Sequence, residues 1–272
     1  MNAHVVSTYG PTAENVVGAG ILPFMTRTVE GKVEIVYILG QEDFVNGWNQ
    51  SGCWSGFEGG RQSGETCEQT AAREFFEETL GTIPIEGCAT VEALAASLAD
   101  GNYVLRIAVC RTVKPTRRDH VTYVMRVPWH DDVNQRFTAV RNPLARIYEL
   151  GTSESMLRER AQQPGAAEQF REAYTRKVEQ VDQALEHLPA PLVAHPAIAT
   201  VWDPHTGRSR RKVTRDFVEK RQVAPVTIRM IQQVIAARGM RVVPYGMRMR
   251  FAFIPVIKTA NAELAKLLTR EL

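Results

Sequence analysis

Cysteine is scarce, and its spacing suits no framework. The four cysteines among 272 residues, Cys53, Cys67, Cys88 and Cys110, form no CxxC pair, and the six histidines are scattered. Neither a structural zinc site nor a disulfide scaffold is supported, and reduced thiols are the reading that remains. Long apolar runs are missing as well. No stretch approaches the roughly 20 residues needed to cross a bilayer, so no membrane association is expected. The opening segment MNAHVVSTYGPTAEN has no apolar core of a secretory signal, and the expectation is a soluble, cytoplasmic chain. An excess of charge of one sign is nearly absent overall: the formal net charge is +3, too small to name a partner. No internal repeat is visible.

What is present is ordinary globular material, with 44% hydrophobic and 23% charged residues, enough for one large domain or a domain plus an insert. Val16–Phe24 and Val33–Leu39 read as buried strands, with Gly31 in a hairpin turn between them. A loop rich in Gly, Trp and Asn follows over 40–64. Glu68–Leu80 has helix-forming composition and is stopped by Gly81 and Pro84. Val91–Leu98 reads as a short helix, and Tyr103–Val109 and Val121–Val127 as strands. From Pro128 the pattern changes to helices and loops. After a Pro164–Gly165 breaker, Phe170, Tyr174, Val178, Val181, Leu185 and Leu188 recur at steps of three and four, one helical face. A Pro-rich linker is expected over 187–196, a strand at Val213–Val218, and helices at Thr227–Ala237 and Asn261–Leu268. This order predicts an α/β or α+β sandwich over 1–127 and 213–272, with a helical and loop insert at 128–212 whose end is basic.

The chemistry concentrates in GGRQSGETCEQTAAREFFEETLG, residues 59–81. Glu74, Glu77 and Glu78 stand at i, i+3 and i+4, so their carboxylates share a helix face. Converging carboxylates repel and are steadied by a cation, and hard oxygen donors suit Mg²⁺ or Mn²⁺. Arg73 lies four residues before Glu77, within ion-pair reach. Glu65 adds a carboxylate near the helix entrance, and the preceding glycines allow backbone to approach a metal. A plain solvated acidic face would not explain the loop, Glu65 and Arg73 together with the carboxylates.

This stretch resembles the signature of the Nudix hydrolase family: Gly, five residues, Glu, seven residues, Arg-Glu, an apolar residue, any residue, Glu-Glu, any residue, Gly. Gly59, Glu65, Arg73, Glu74, Phe75, Glu77 and Glu78 fall in register. The final glycine position holds Leu80, with Gly81 one residue later. The resemblance implies a Nudix-like α/β/α sandwich with a mixed sheet, and a pyrophosphohydrolase that cuts a phosphoanhydride bond in a nucleoside-diphosphate-linked substrate. It implies metal held by Gly59, Glu65, Glu74, Glu77 and Glu78, with Arg73 orienting a glutamate. Metal would neutralise phosphate oxygens and activate water. Glu74 is the candidate base, and Glu219 a second candidate from a later segment.

The charge is unevenly spread. Thr206–Arg250 holds twelve Lys or Arg against two acids, an excess of ten inside a chain of +3. Such a block favours polyanions. The layout of core, helical insert and C-terminal return is similar to Nudix proteins of large DNA viruses, some of which remove mRNA caps; a viral chain would act in the host cytoplasm. Capped RNA is therefore the leading substrate expectation, with Arg210, Arg211 and Lys212 on its backbone. Trp48, Trp54 and Trp129 are candidates to stack a base, each weighed against burial in the core. Free nucleotides, dinucleoside polyphosphates and diphosphoinositol polyphosphates are the alternative substrates, and a catalytically silent RNA-binding module the alternative of another class. Oligomeric state is not legible.

Overall fold

The structure, a computed structural model, describes residues 4–7, 16–113, 116–163, 168–203, 207–237 and 244–271. It divides into two compact units, Met1–Phe137 with Lys220–Leu272, and Thr138–Glu219. The insert expected at 128–212 compares with the 138–219 of the second unit.

The first unit is built on an eight-stranded mixed sheet. Its strands are β1 (His4–Ser7), β2 (Val16–Val29), β3 (Lys32–Glu42), β4 (Trp54–Ser55), β5 (Phe57–Gly60), β6 (Leu105–Val113), β7 (Thr116–Arg126) and β10 (Lys220–Thr227). The order is β1-β6-β7-β2-β3-β10, with β4 on β3 and β5 on β2. β1 runs parallel to β6 and β2 parallel to β7, and the other pairs are antiparallel. Glu30 and Gly31 both take positive φ between β2 and β3, which is the tight hairpin geometry whose twist matches the strands.

Near-continuous apolar runs in β2 and β3 mark strands covered on both faces. Against one face lies α1 (Cys67–Thr79), with α2 (Val91–Ala99) beside it. Phe75 of α1 meets Phe57 of β5 edge to face, ring centroids 5.6 Å apart. On the other face Leu22, Leu39 and Val124 share a core with Ile231 and Val234 of α6 (Ile228–Ala236) and Phe253, Val256 and Ile257 around the start of α7 (Ile254–Glu271). The architecture is thus the mixed α/β/α sandwich the sequence predicted. The strand expected at Val213–Val218 is instead a turn of 3₁₀ helix over Arg215–Val218, lying between two strands the sequence reading missed.

The second unit contains most of α3 (Val133–Ala161), α4 (Glu168–Glu186), the short α5 (Ala190–Val193) inside the expected linker, and a two-stranded hairpin of β8 (Ile198–Asp203) and β9 (Arg208–Val213). Val181 and Leu185 are the buried residues of α4, on the apolar face the periodicity marked. The Pro164–Gly165 breaker lies outside the described residues. Among the described residues no helix is long and apolar enough to cross a membrane.

Candidate active site

The site grows from the ends of α1. Thr66 caps its N-terminus: the Thr66 hydroxyl accepts from the Gln69 N–H while the Gln69 side chain accepts from the Thr66 N–H. This reciprocal pair fixes where the first turn starts, and so the azimuth of every carboxylate that follows. At the other end Leu80, not a glycine, takes the left-handed conformation (φ 57°), and the Gly81 N–H returns to the Phe76 carbonyl. The shift of glycine by one residue is therefore absorbed by a leucine in a strained backbone state, whose side chain is buried.

Arg73 is the hub. Its Nε donates to Glu65 Oε1 at 2.7 Å and its Nη2 to Glu65 Oε2 at 3.1 Å, a bidentate pair. Its Nη1 donates to both Glu74 Oε1 at 2.9 Å and Glu77 Oε2 at 2.8 Å, and its Nη2 also reaches the Gly60 carbonyl at 2.9 Å. One guanidinium thus draws two helix carboxylates toward a single nitrogen. The Glu65 carboxyl is lowered to about 2, chiefly by the Arg73 hydrogen bond, and Arg73 is raised in turn. Glu65, expected among the metal donors, has its oxygens taken up by Arg73, the Gln62 N–H and the Thr70 hydroxyl.

Gly59 faces Glu74 so closely that a β-carbon there would overlap the Glu74 carboxylate. A side chain at position 59 would have to displace that carboxylate. Glu58, beside it in β5, is buried and donates its N–H to Glu78 Oε2 at 2.7 Å. His120 Nδ1 lies 3.7 Å from Glu58 Oε2. Glu78 does not join Arg73. Its Oε1 meets Lys220 Nζ at 3.0 Å, and Lys220 also donates to Glu42 Oε1 at 2.6 Å and Ser55 Oγ at 3.1 Å. Burial pushes the Glu78 carboxyl well up, and the Glu78 and Glu42 carboxylates hold the Lys220 ammonium charged against its own burial. Arg250 Nη1 approaches Glu42 Oε1 at 3.4 Å and Glu58 Oε1 at 3.9 Å.

Glu42, Ser55, Glu58, His120, Lys220 and Arg250 were not singled out as site residues from the sequence. The WSGFEGG run leading into Gly59 was the one local signal that could have marked Ser55 and Glu58. Glu219, expected as a second base, belongs to the second unit, where its half-exposed carboxylate lies 3.8 Å from Arg215. The residue this segment brings into the site is the next one, Lys220.

The donor set fits a hard divalent cation in part. Glu74 and Glu77, drawn together by Arg73 beside the Gly59 backbone, are oxygen donors of the right class. As the side chains stand, no group of three or more His, Cys, Asp or Glu among the described residues is spaced to hold a metal ion.

The expected substrate contacts divide. Trp54 is 5% exposed and sits in the main apolar core, so no ring face is open to a base; that expectation is corrected. Trp48 is partly open, with Arg250 6.0 Å from its ring centroid. Arg210 is tied to Glu154 at 2.6 Å and Asp182 at 3.4 Å, and Arg211 donates to the Val193 carbonyl. Lys212 is exposed. All three line a cavity of about 620 Å³ in the second unit together with Arg158, Trp202, Arg215 and the acids Glu154 and Asp216. The basic block is not one surface: Lys220 is buried, Arg248 is pinned to the Asn49 and Ser51 carbonyls, and Arg238 and Arg241 lie outside the described residues.

No family model and no curated protein sequence matches the chain. Among solved structures it is similar to a C. elegans Ap4A hydrolase binary complex (18% identity, 42% of this chain and 67% of that one, TM-score 0.27). It is also similar to RenU, a Nudix hydrolase from M. smegmatis (18% identity, 43% of this chain and 63% of that one, less than two thirds of its length, TM-score 0.26). A mutT/nudix family protein from Listeria innocua is covered over 99% of its length and 95% of this chain, at 12% identity and a TM-score of 0.36. Neighbours at this distance leave the functional reading to the side chains of the site.

Proposed function

We propose that the chain is a divalent-metal-dependent pyrophosphohydrolase of the Nudix type, acting on a phosphoanhydride in a nucleoside-diphosphate-linked substrate. One observation carries this reading: Arg73 holds Glu74 and Glu77 to a single nitrogen directly against the Gly59 backbone. An acidic surface helix has no use for that arrangement. Glu74, Glu77 and the Gly59 carbonyl would hold the ion. A bound Mg²⁺ or Mn²⁺ supplies charge neutralisation at phosphate oxygens and activation of water. Glu74 accepts the proton of the attacking water, and Arg73 keeps that carboxylate in place. Glu65 positions Arg73, and the Thr66 cap positions the helix that carries all of them.

For the finer substrate we assign capped RNA. The exposed Lys212 and the half-buried Arg211, beside Trp202 in the second unit, support an anionic, base-bearing ligand. The test incubates the protein with cap-labelled RNA and, separately, with free nucleotides and diphosphoinositol polyphosphates, each with Mg²⁺ or Mn²⁺, beside Glu77→Gln. Release of m7GDP is expected, lowered about 100-fold or more in the variant. Turnover of free nucleotides or inositol pyrophosphates alone would keep the hydrolase and discard the RNA. RNA binding that survives Glu77→Gln without turnover of anything would make the chain a binding module.

A further inference from the structure

Adjacent glutamates of α1 answer to different cations. Glu77 accepts from Arg73, near the surface; Glu78, the next residue, accepts from Lys220, which is 1% exposed. The lysine is held as a tripod. An ammonium has three N–H donors, and three acceptors meet this one: Glu42 Oε1 at 2.6 Å, Glu78 Oε1 at 3.0 Å and Ser55 Oγ at 3.1 Å. Ser55 also donates to Glu42 Oε1 at 2.9 Å, closing the ring of contacts. The other Glu78 oxygen is fixed by the Glu58 N–H.

The approach to this point is shaped for the lysine stem. Lys220 pairs directly with Glu42 in the β3–β10 ladder, and the register slips just after it, a local irregularity of the kind that re-aims a side chain. On β3, Gly40 leaves the room the stem occupies: a β-carbon there would come within 3.0 Å of Lys220 Cδ and of the Phe57 ring. Two strands and a helix therefore converge on the ammonium that a third strand carries, with two carboxylates around it. That is the donor set, two carboxylates and a hydroxyl, that would suit a hard divalent ion if the lysine were absent.

We propose that Lys220 Nζ is a built-in cation that fills the position between Glu42 and Glu78, so that the chain binds a single divalent ion, on the Glu74–Glu77 side, and Glu78 serves as a positioning residue instead of a metal donor. This rests on the metal-dependent reading above and fixes its stoichiometry. The lysine satisfies the buried carboxylates at all times, whereas a second ion would have to be acquired from solution.

The test is a Mn²⁺ titration followed by electron paramagnetic resonance on the full chain, for wild type, Lys220→Met and the double variant Lys220→Met/Glu42→Gln. Wild type is expected to take up one ion per chain, Lys220→Met two, and the double variant one again, because a lone Glu78 is a poor site. Two or more ions in wild type, or one in a folded Lys220→Met, would overturn the inference and leave the hydrolase reading intact. No ion in wild type would overturn both. The wild-type count decides by itself if Lys220→Met does not fold. Where that variant folds, Mn²⁺ should raise its melting temperature more than that of wild type, and equal shifts count against the proposal.

Discussion

Arg73 and Lys220 each gather carboxylates, and they do so in opposite ways. Arg73 uses a planar fork at the rim: its partners Glu65, Glu74 and Glu77 keep side-chain exposures of 18, 12 and 14%. Lys220 uses a point charge in the interior, where its own side chain is 0% and those of Glu42 and Glu78 are 4 and 3% exposed. A rim cluster can exchange partners with solvent, an ion and substrate. A sealed cluster does not while its lysine is in place, because each opened contact leaves a charge in low dielectric. The first arrangement suits chemistry and the second suits architecture, although both lean on the same helix.

The largest expected effect breaks the sealed cluster. Lys220→Met should lower stability by about 3–5 kcal/mol in urea denaturation without added metal, the usual result of orphaning buried charges. A loss below about 1 kcal/mol would mean the cluster is not dry. At the rim the same scale should appear in rate, not stability. Arg73→Lys keeps the charge but loses the fork, and kcat should fall about 100-fold while the melting temperature moves by only a few degrees; a large stability loss with kcat intact would reverse the contrast. The rim pair also has a pH signature. The Glu65 carboxyl is at about 2 in the fold against 4.5 ordinarily. Its contribution to stability is then complete above pH 4.5 and disappears as pH falls through about 2. The stability gap between wild type and Glu65→Gln should close over that window, and a gap unchanged at pH 2 would deny the pairing. The smallest effect is at the helix end. Leu80→Gly relieves about 1–2 kcal/mol of left-handed strain but forfeits about 1.5–3 kcal/mol of apolar burial. A net loss of about 1 kcal/mol is expected by thermal unfolding, and a net gain would mean that the leucine is retained against stability.

The two clusters also differ in how far they can be read from sequence. Glu65, Arg73, Glu74 and Glu77 fall within thirteen residues, on one helix and its approach, so helical geometry alone brings them together. The Lys220–Glu42 contact spans 178 positions and the Lys220–Ser55 contact 165; no spacing announces them. Glu42 follows an apolar strand and Lys220 sits inside a basic block, where each passes for surface. Trp54 was misjudged for the complementary reason: composition marks an aromatic as able to stack, while only the β3–β4 pairing shows it buried. The β8–β9 hairpin escaped because its second strand, RSRRKV, carries four basic residues in six and lacks the alternation that reveals a strand. The long helix α3 was obscured by Pro143 within it.

The pairing of β3 with β10 sets an order of assembly. β1 through β7 leave the ribosome with the β10-facing edge of β3 unpaired and Glu42 without its ammonium, and the whole of 138–219 must be made before Lys220 emerges. Loop closure over that length costs only logarithmically more than over a short one, but the contact is among the most non-local in the chain, and such contacts form slowly. The nascent protein therefore passes through a stage in which the acidic helix α1 is complete while the sheet edge beneath it is open, a pairing template for a second chain. The pairing of β10 along β3, begun at Lys220, ends that stage.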